Sequence, residues 1–429
     1  MLTVAIFAVL LVFLFMNLPI VVAIAMTAVV FFFGLGEGQF LAMMPSRMYV
    51  GTTGFVLLAV PFFIIAGNLM NSGGITNRIF RFCKALFGPV PGGLGQVSIV
   101  AEMIFSGMSG SAVADAAGLG QIQYKAMKDN GYKPKIAAGI VVASSTLGPV
   151  IPPSIPFVLF GALTGASVAR LFLAGFLPGF LMGAAIMLII GFTATSRGIP
   201  RSPWTGWGEV WASFKAALLP ILGPVIIIGG IVTGIFTPTE SAIVACVYAL
   251  VLGFLYKDLR WKDLPGILWD SIKQSAALLF IMAASAFFGW LVIYKRIPDD
   301  LIASLTSMSV GPNGVMMLII VIILILGLFL EGNSIFFITI PIFLPLVSLY
   351  GFDLINFGVV MTLLIMIGNM TPPVGMCLFA VSSFTKVTVM DLAKEVWPYL
   401  VGILLVTILL AFVPVISTCV PDLIMGAAK

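Results

Sequence analysis

The chain has no histidine. Ser-His and Cys-His catalysis are excluded with it, and so is the commonest transition-metal ligand. Cysteine is scarce and scattered: Cys83, Cys246, Cys377 and Cys419 lie far apart, in or beside apolar segments. No metal-type cysteine pair exists, structural disulfides are not expected, and the four read as ordinary buried thiols. Charge is the third scarcity. Asp, Glu, Lys and Arg make up 9% of the chain, against about 25% in a soluble domain. Hydrophobic residues make up 61%, and the longest polar stretches are too short to build a soluble domain. These values imply an all-α polytopic membrane protein in contact with a lipid bilayer. The net charge of +5 suits basic loops on one membrane face and gives no case for nucleic acid. No nucleotide-binding loop is present. The first apolar run starts at Leu2 with no basic region before it and no small-residue cleavage site after it, so it reads as a retained transmembrane helix.

What the chain does contain, it contains twice. Gly148-Pro149-Val150-Ile151-Pro152-Pro153-Ser154 and Gly368-Asn369-Met370-Thr371-Pro372-Pro373-Val374 each interrupt a long apolar segment, 220 positions apart. A double proline removes two backbone donors and clashes with the preceding helical turn. An unpaired carbonyl in hydrocarbon costs several kcal/mol, so such breaks survive where they line a cavity or bind something. Matched breaks in two halves point to a transporter's binding site. Other landmarks recur at an offset near 220: Asn17-Leu18-Pro19 with Phe236-Thr237-Pro238, Phe62–Gly67 with Leu279–Ala284, and Leu177-Pro178 with Trp397-Pro398.

The expected organisation is therefore two structural repeats. Residues 1–200 hold scaffold spans near 2–16 and 18–35, a span near 54–73, a polar-tipped segment at 94–124, the broken span 136–164 and a last span 171–194. Residues 201–216 read as a connecting amphipathic segment. Residues 217–429 hold scaffold spans near 217–236 and 238–256, a span near 274–294, a polar-tipped segment at 314–349, the broken span 355–383 and a last span 397–417. Segments 94–107 and 112–124 are each short for a hydrocarbon core of about 30 Å at 1.5 Å per residue. A re-entrant helical hairpin with its tip near midplane fits; two ordinary spans joined by a polar loop is the other reading. Counting each hairpin as entering and leaving on one side gives an odd number of crossings per half, so the repeats are expected to be inverted. With the N-terminus outside, sixteen basic residues fall inside, and Arg47, Arg170, Lys295, Arg296 and Lys429 fall outside. That is the positive-inside bias. Segments 75–90, 202–215 and 258–272 mix Trp, Lys or Arg with apolar residues and read as interfacial amphipathic helices or as connecting loops.

A hairpin tip facing a broken helix gathers free carbonyls, which suit a hard cation, and half-helix N-termini, which suit an anion. The first such site combines Ser106, Ser109 and Ser111 with Gly148, Val150, Pro152 and Ser154; the second combines Glu331, Gly332, Asn333 and Ser334 with Gly368, Met370 and Thr371. Hydroxyl and amide oxygens beside carbonyls are reasonable sodium ligands. The same Ser and Gly residues also allow close helix packing. Asp115, one turn beyond Ser111, is an intramembrane carboxylate and so an ion ligand, a proton carrier or a substrate contact. Glu240 follows a proline at a span start, where the helix dipole favours a carboxylate. Glu102 pairs with a basic group or lies at the membrane surface. Arg170 is a snorkelling anchor or an anion contact.

Taken together, Ser109-Gly110-Ser111 with Asp115, Gly148-Pro149 with Pro152-Pro153-Ser154, Gly234-Ile235-Phe236-Thr237-Pro238-Thr239-Glu240 and Asn369-Met370-Thr371-Pro372-Pro373-Val374-Gly375 resemble the large membrane subunit of TRAP (tripartite ATP-independent periplasmic) transporters. The resemblance covers nearly the whole chain. It implies an elevator-type, sodium-coupled importer of organic acids in the bacterial inner membrane, with no organic cofactor and no enzymatic activity. It implies two partners, a small four-helix integral membrane subunit on a separate chain and a periplasmic substrate-binding protein. Sodium would occupy two or more sites, one on Ser106, Ser109, Gly148, Val150 and Pro152, another on Gly332, Asn333, Gly368, Met370 and Thr371. Substrate would lie between them on Ser109, Ser111, Asp115, Ser154 and Ser334. Sialic acid and C4-dicarboxylates are substrates in the family; the look of the chain leans to the sialic acid branch, though no single residue decides it. The alternative is a stand-alone sodium/anion symporter that needs no binding protein.

Overall fold

The computed structural model describes residues 2–16 and 18–427; Asn17 of the first repeated landmark and Lys429 of the charge count lie outside the described residues. Helices account for the architecture, and the described residues contain no strand. Eight helices among the described residues are long and apolar enough to cross a membrane. Six of the eight lie at expected spans, Ala59–Ser72 (preceded by a 3-10 turn at Phe55–Leu58), Val168–Ala194, Trp207–Val232, Pro238–Leu255, Leu264–Tyr294 and Val389–Phe412, and the other two are Pro312–Phe329 and Gly332–Leu349; Leu2–Phe15 and Ile20–Gly34, at the first two expected spans, are shorter.

Two of the expected amphipathic segments are not separate elements. Residues 201–206 carry no helix, and Trp207 then opens a helix that runs without interruption to Val232. The connecting segment 201–216 thus ends inside a span. Residues 258–272 likewise merge into Leu264–Tyr294 after a short 3-10 turn at Trp261–Asp263. In Leu264–Tyr294 the proline sits in the first turn and no other follows before the apolar run, while in Trp207–Val232 the prolines Pro220 and Pro224 lie inside the apolar run and the helix carries on past them. Ile75–Phe87 is a distinct amphipathic helix. It buries Ile75, Ile79, Phe80 and Cys83 and is held by Arg78 on Asp258 at 2.7 Å and by a two-pronged Arg81–Glu209 pair at 2.7 and 3.0 Å.

Each double proline lies in a gap between two helices, and both Pro-Pro bonds are cis. Pro134–Ser145 and Ile155–Thr164 flank the first; Leu354–Asn369 and Met376–Thr385 flank the second. The polar-tipped segments form helix pairs that turn at their polar residues. Gly93–Ser109 is followed, after Gly110 in the left-handed region at φ +64°, by Ala112–Ala117 and Leu119–Asp129. Pro312–Phe329 is followed, after two residues, by Gly332–Leu349. At 18 residues each, the helices of this second pair are longer than those of the first.

Tip and break meet through missing side chains. In the first half a Cβ on Gly110 would lie 2.9 Å from the Pro153 carbonyl oxygen, whereas at Gly107 the crowding neighbour is Pro224 of Trp207–Val232, 2.6 Å from a Cβ. In the second half a Cβ on Gly327 would lie 3.1 Å from the Cα of Gly368, and one on Gly368 would lie 2.9 Å from the Cα of Gly327. Backbones that approach so closely exclude any larger residue. The two halves also interlock: Lys135 pairs with Asp391 at 3.0 Å and Arg197 pairs with Glu395, joining the first broken span and the end of the first half's last span to the second half's last span. Asn68 donates to Ser271 across the scaffold at 2.8 Å.

Gly327→Leu is expected to destabilise the protein by at least about 1–3 kcal/mol, because overpacking must push two helices apart. The melting temperature of the purified protein in detergent checks this; an unchanged value would show that the close approach is dispensable.

Candidate functional site

The two tips and the two breaks converge on one cavity of about 440 Å3. Gly110 to Ala114 and Ala117 line it from the first tip, Glu331 to Asn333 from the second. Pro149, Ile155 and Pro156 come from the first break, and Ile365, Met366, Asn369 and Met376 from the second. The facing wall is Ile64 with Gln274, Ala277, Leu278 and Ile281 of Leu264–Tyr294. The first residues of four helices, those starting at Ala112, Ile155, Gly332 and Met376, face the same space. Helix N-termini carry partial positive charge and free N–H groups. Among the described residues no lysine or arginine lines the cavity, and its one charged side chain is Glu331.

The local chemistry of each break differs. At the first, the Ser154 hydroxyl donates to the Pro149 carbonyl and accepts from the Phe157 amide at 3.2 Å, so one side chain closes the gap and caps the outgoing helix. The second break borrows from the hairpin: the Val374 amide donates to the Leu328 carbonyl at 3.2 Å. The Thr371 hydroxyl donates to the Ile367 carbonyl at 2.6 Å. Glu331 caps its own helix, accepting from the Ser334 amide at 3.3 Å, the Ser334 hydroxyl at 3.1 Å and Asn333 Nδ2 at 2.9 Å.

Of the five residues expected on substrate, Ser111 alone lines the cavity. Ser109 and Ser334 are buried beside it, and Ser154 is fully buried and committed to the break. Asp115 is a correction. On the short Ala112–Ala117 helix, Val113, Ala114 and Ala117 face the cavity while Asp115 points to the opposite side, where its Oδ2 fills the space that a side chain at Gly148 would need. Of the residues expected on sodium, Ser106 is fully buried and donates to the Glu102 carbonyl at 2.6 Å, and Gly148, Val150 and Met370 are buried. The Val150 carbonyl abuts Gly175 of the last span, and Pro152 abuts Gly107. Gly332 packs on Ile365 and Asn369, Gly368 on Gly327, while Asn333 and Thr371 stay partly exposed. The first group of these residues is buried, and the second keeps Asn333 and Thr371 partly exposed.

Sequence reasoning missed a buried polar network behind the first tip. Glu102 is neither salt-bridged nor superficial: it is 1% exposed, and its carboxyl adjoins that of Asp115. Gln123 Nε2 donates to Glu102 Oε2 at 3.0 Å, and Ser144 donates to Gln123 Oε1 at 3.0 Å. Glu102 Oε1 and both Asp115 oxygens have no hydrogen-bond partner among the described residues. The signal for this network was present in the pattern Glu102-x20-Gln123-x20-Ser144, but only the antiparallel stacking of three helices shows that the spacing matters. Two other residues resolve simply. Glu240 forms a capping box with Thr237, whose amide donates to its carboxylate at 2.8 Å. Arg170 pairs with Asp422 at 3.0 Å and with the Gly426 carbonyl, away from the cavity.

Apolar helices, two interrupted helices and one cavity shared between them define a multi-pass helical membrane protein of transporter type. The family model described as "Tripartite ATP-independent periplasmic transporter, DctM component" matches residues 7–416, and the chain belongs to that family. It is a component of a transporter of the bacterial inner membrane and not an enzyme. It is 41% identical over 382 residues to the sialic acid TRAP transporter large permease protein SiaM of Vibrio cholerae, covering 89% of this chain and 90% of that one. It is 40% identical over 381 residues to the sialic acid TRAP transporter permease protein SiaT of Haemophilus influenzae, covering 89% of this chain; that match spans 62% of the length of the Haemophilus relative. The C4-dicarboxylate TRAP transporter large permease protein DctM of Vibrio cholerae is 35% identical over 432 residues, 96% of this chain and 95% of that one. Among solved structures, the fold is similar to the Alcanivorax borkumensis YdaH transporter, with a TM-score of 0.62 over 88% of each chain at 15% identity.

Gln123→Leu removes the side-chain donor to Glu102 Oε2 and the acceptor of Ser144, so it is expected to cost about 1–3 kcal/mol of stability. Ser111→Ala removes one long N-cap bond, from the Ala114 amide at 3.4 Å, and is expected to cost less, about 0.5–1 kcal/mol. Melting curves of the two variants side by side check the contrast.

Proposed function

We propose that this chain is the membrane-embedded transport subunit of a sodium-coupled secondary importer of organic acids, with sialic acid as the favoured substrate. A periplasmic binding protein delivers the substrate, and a small four-helix membrane subunit completes the complex. The observation that carries the reading is the single cavity into which both tips and both breaks open, in a chain whose relatives at 40% and 41% identity are named sialic acid permeases. The match at 35% to a C4-dicarboxylate permease keeps the substrate class at carboxylates.

The cavity suits an anion accompanied by cations. Its described lining lacks any basic side chain, so a substrate carboxylate meets helix N-termini and amide or hydroxyl groups of Ser111, Asn333 and Asn369. Sodium ions at the two junctions supply the missing positive charge: Ser106, Ser109, Gly148, Val150 and Pro152 at one, Gly332, Asn333, Gly368, Met370 and Thr371 at the other. Sodium takes oxygen ligands and tolerates irregular geometry, which interrupted backbone provides. With the ions absent, the cavity offers an anion only partial charges and the repulsion of Glu331; this makes substrate binding depend on sodium. Movement is of the elevator type: the hairpins, broken spans and last spans travel as one body, joined by Lys135–Asp391 and Arg197–Glu395, against the scaffold.

Uptake of sialic acid into vesicles reconstituted with both partners is expected to follow an inward sodium gradient. Uptake driven by a proton gradient in sodium-free buffer would overturn the coupling. Ser111→Ala and Asn333→Ala are expected to lower uptake by about tenfold, equivalent to about 1.4 kcal/mol each, with the protein still folded. Unchanged uptake would return both residues to a packing role.

A further inference from the structure

One rim of the scaffold carries a charge imbalance that the transport reading leaves unused. Three segments meet there. Arg78 of Ile75–Phe87 binds Asp258, and its guanidinium lies 3.8 Å from the Tyr256 ring centroid. Arg81 binds Glu209 at the start of Trp207–Val232, and Phe82 packs on Phe214 with ring centroids 5.5 Å apart. The Ser202 amide donates to the Gly88 carbonyl at 3.1 Å, which fastens the irregular stretch 201–206 to the same helix. The platform is therefore fixed by contacts that use up its carboxylates. Glu209 and Asp258 are paired, Asp263 accepts from the Arg260 amide at 3.1 Å, and Asp270 lies 3.6 Å from Lys273.

The remaining cations have no such partner. Arg201, Lys215, Lys257, Arg260 and Lys262 are exposed, and none takes part in a side-chain ion pair among the described residues. Exposed tryptophans stand among them: Trp204, Trp207, Trp211 and Trp261, the last at 77% exposure. Lys215 reaches back over Trp211, its Nζ 5.4 Å from the ring centroid. A tryptophan so exposed prefers the headgroup depth of a bilayer, and a lysine stem lying along it places its ammonium at the same level. Unpaired cations at that level attract anionic headgroups, each gaining roughly fivefold in binding near the surface.

We propose that this rim, formed by residues 201–216 and 256–263 braced on Ile75–Phe87, is a binding surface for anionic phospholipid headgroups. The lipid phosphates complete the charge pairing that the protein's own carboxylates leave open, and the tryptophans set the depth. Ile75–Phe87 packs both on Trp207–Val232 and on Gly93–Ser109 of the first hairpin, so a bound lipid sits beside the place where these elements join.

The test uses the full chain reconstituted in vesicles of equimolar phosphatidylglycerol and phosphatidylcholine, re-extracted in mild detergent, with the retained lipid quantified. The parent protein is expected to retain phosphatidylglycerol several-fold above its input ratio. A wash at about 0.5 M salt lowers that ratio, because screening at this strength acts over a few ångströms. The variant carrying Lys215→Gln, Lys257→Gln, Arg260→Gln and Lys262→Gln is expected to retain the two lipids in their input ratio. Retention at the input ratio by the parent, or an unchanged preference in the variant, overturns the proposal. A measurement without substitutions stands beside it: tryptophan fluorescence of the parent should be quenched about twofold more by brominated phosphatidylglycerol than by brominated phosphatidylcholine. Equal quenching also overturns it. Neither arm involves substrate or sodium transport, so their failure is separable from failure of the transport reading.

Discussion

Two interrupted helices inside a low-dielectric medium set the terms for the rest of this structure. Each interruption frees backbone groups that hydrocarbon cannot satisfy. The molecule answers by pressing a hairpin tip against each gap, and pressing that closely requires glycine. Gly110 at the first junction and the Gly327–Gly368 pair at the second are the points where the approach occurs. Once the tips are so placed, both gaps face one another across the space between them, and the cavity is the volume left over. Its shape follows from backbone chemistry before any ligand is considered.

The junctions solve the same problem with different means. Ser154 repairs the first gap locally, while the second depends on a hydrogen bond from Val374 to the hairpin residue Leu328. The first is buried throughout, and behind it the carboxyls of Glu102 and Asp115 adjoin, neither of them salt-bridged among the described residues. The second keeps Asn333 and Thr371 partly open and places Glu331 on the cavity wall. Burial and charge therefore differ between the junctions, and an occupant of one meets a different dielectric and a different field from an occupant of the other.

Much of this was legible in the sequence because helix breakers and apolar runs act locally. The Pro-Pro gaps, the turning points at Gly110 and Glu331 and most span limits are readable from residues a few positions away. What is not readable depends on helix rotation. A six-residue helix puts Ser111 and Asp115 near one another in sequence, but nothing in the sequence says that one faces a cavity and the other Gly148. The Glu102–Gln123–Ser144 network needs three helices stacked in register, which no local pattern specifies. The amphipathic stretches 201–216 and 258–272 mislead for the opposite reason: polarity changes there while the helix carries on into the apolar run.

The wall opposite the tips has a plain consequence. Ile64, Ala277, Leu278 and Ile281 present methyl and methylene groups, and Gln274 is its polar member. Dispersion attraction carries no direction and no partner identity, so a side chain that slides off one methyl group is met by the next one along. A hydrogen-bonded wall would hold the opposite surface in discrete notches, each with its own barrier. This one has no such notches, so a molecule standing against it is oriented by the tips and breaks on the other sides of the cavity and not by the wall.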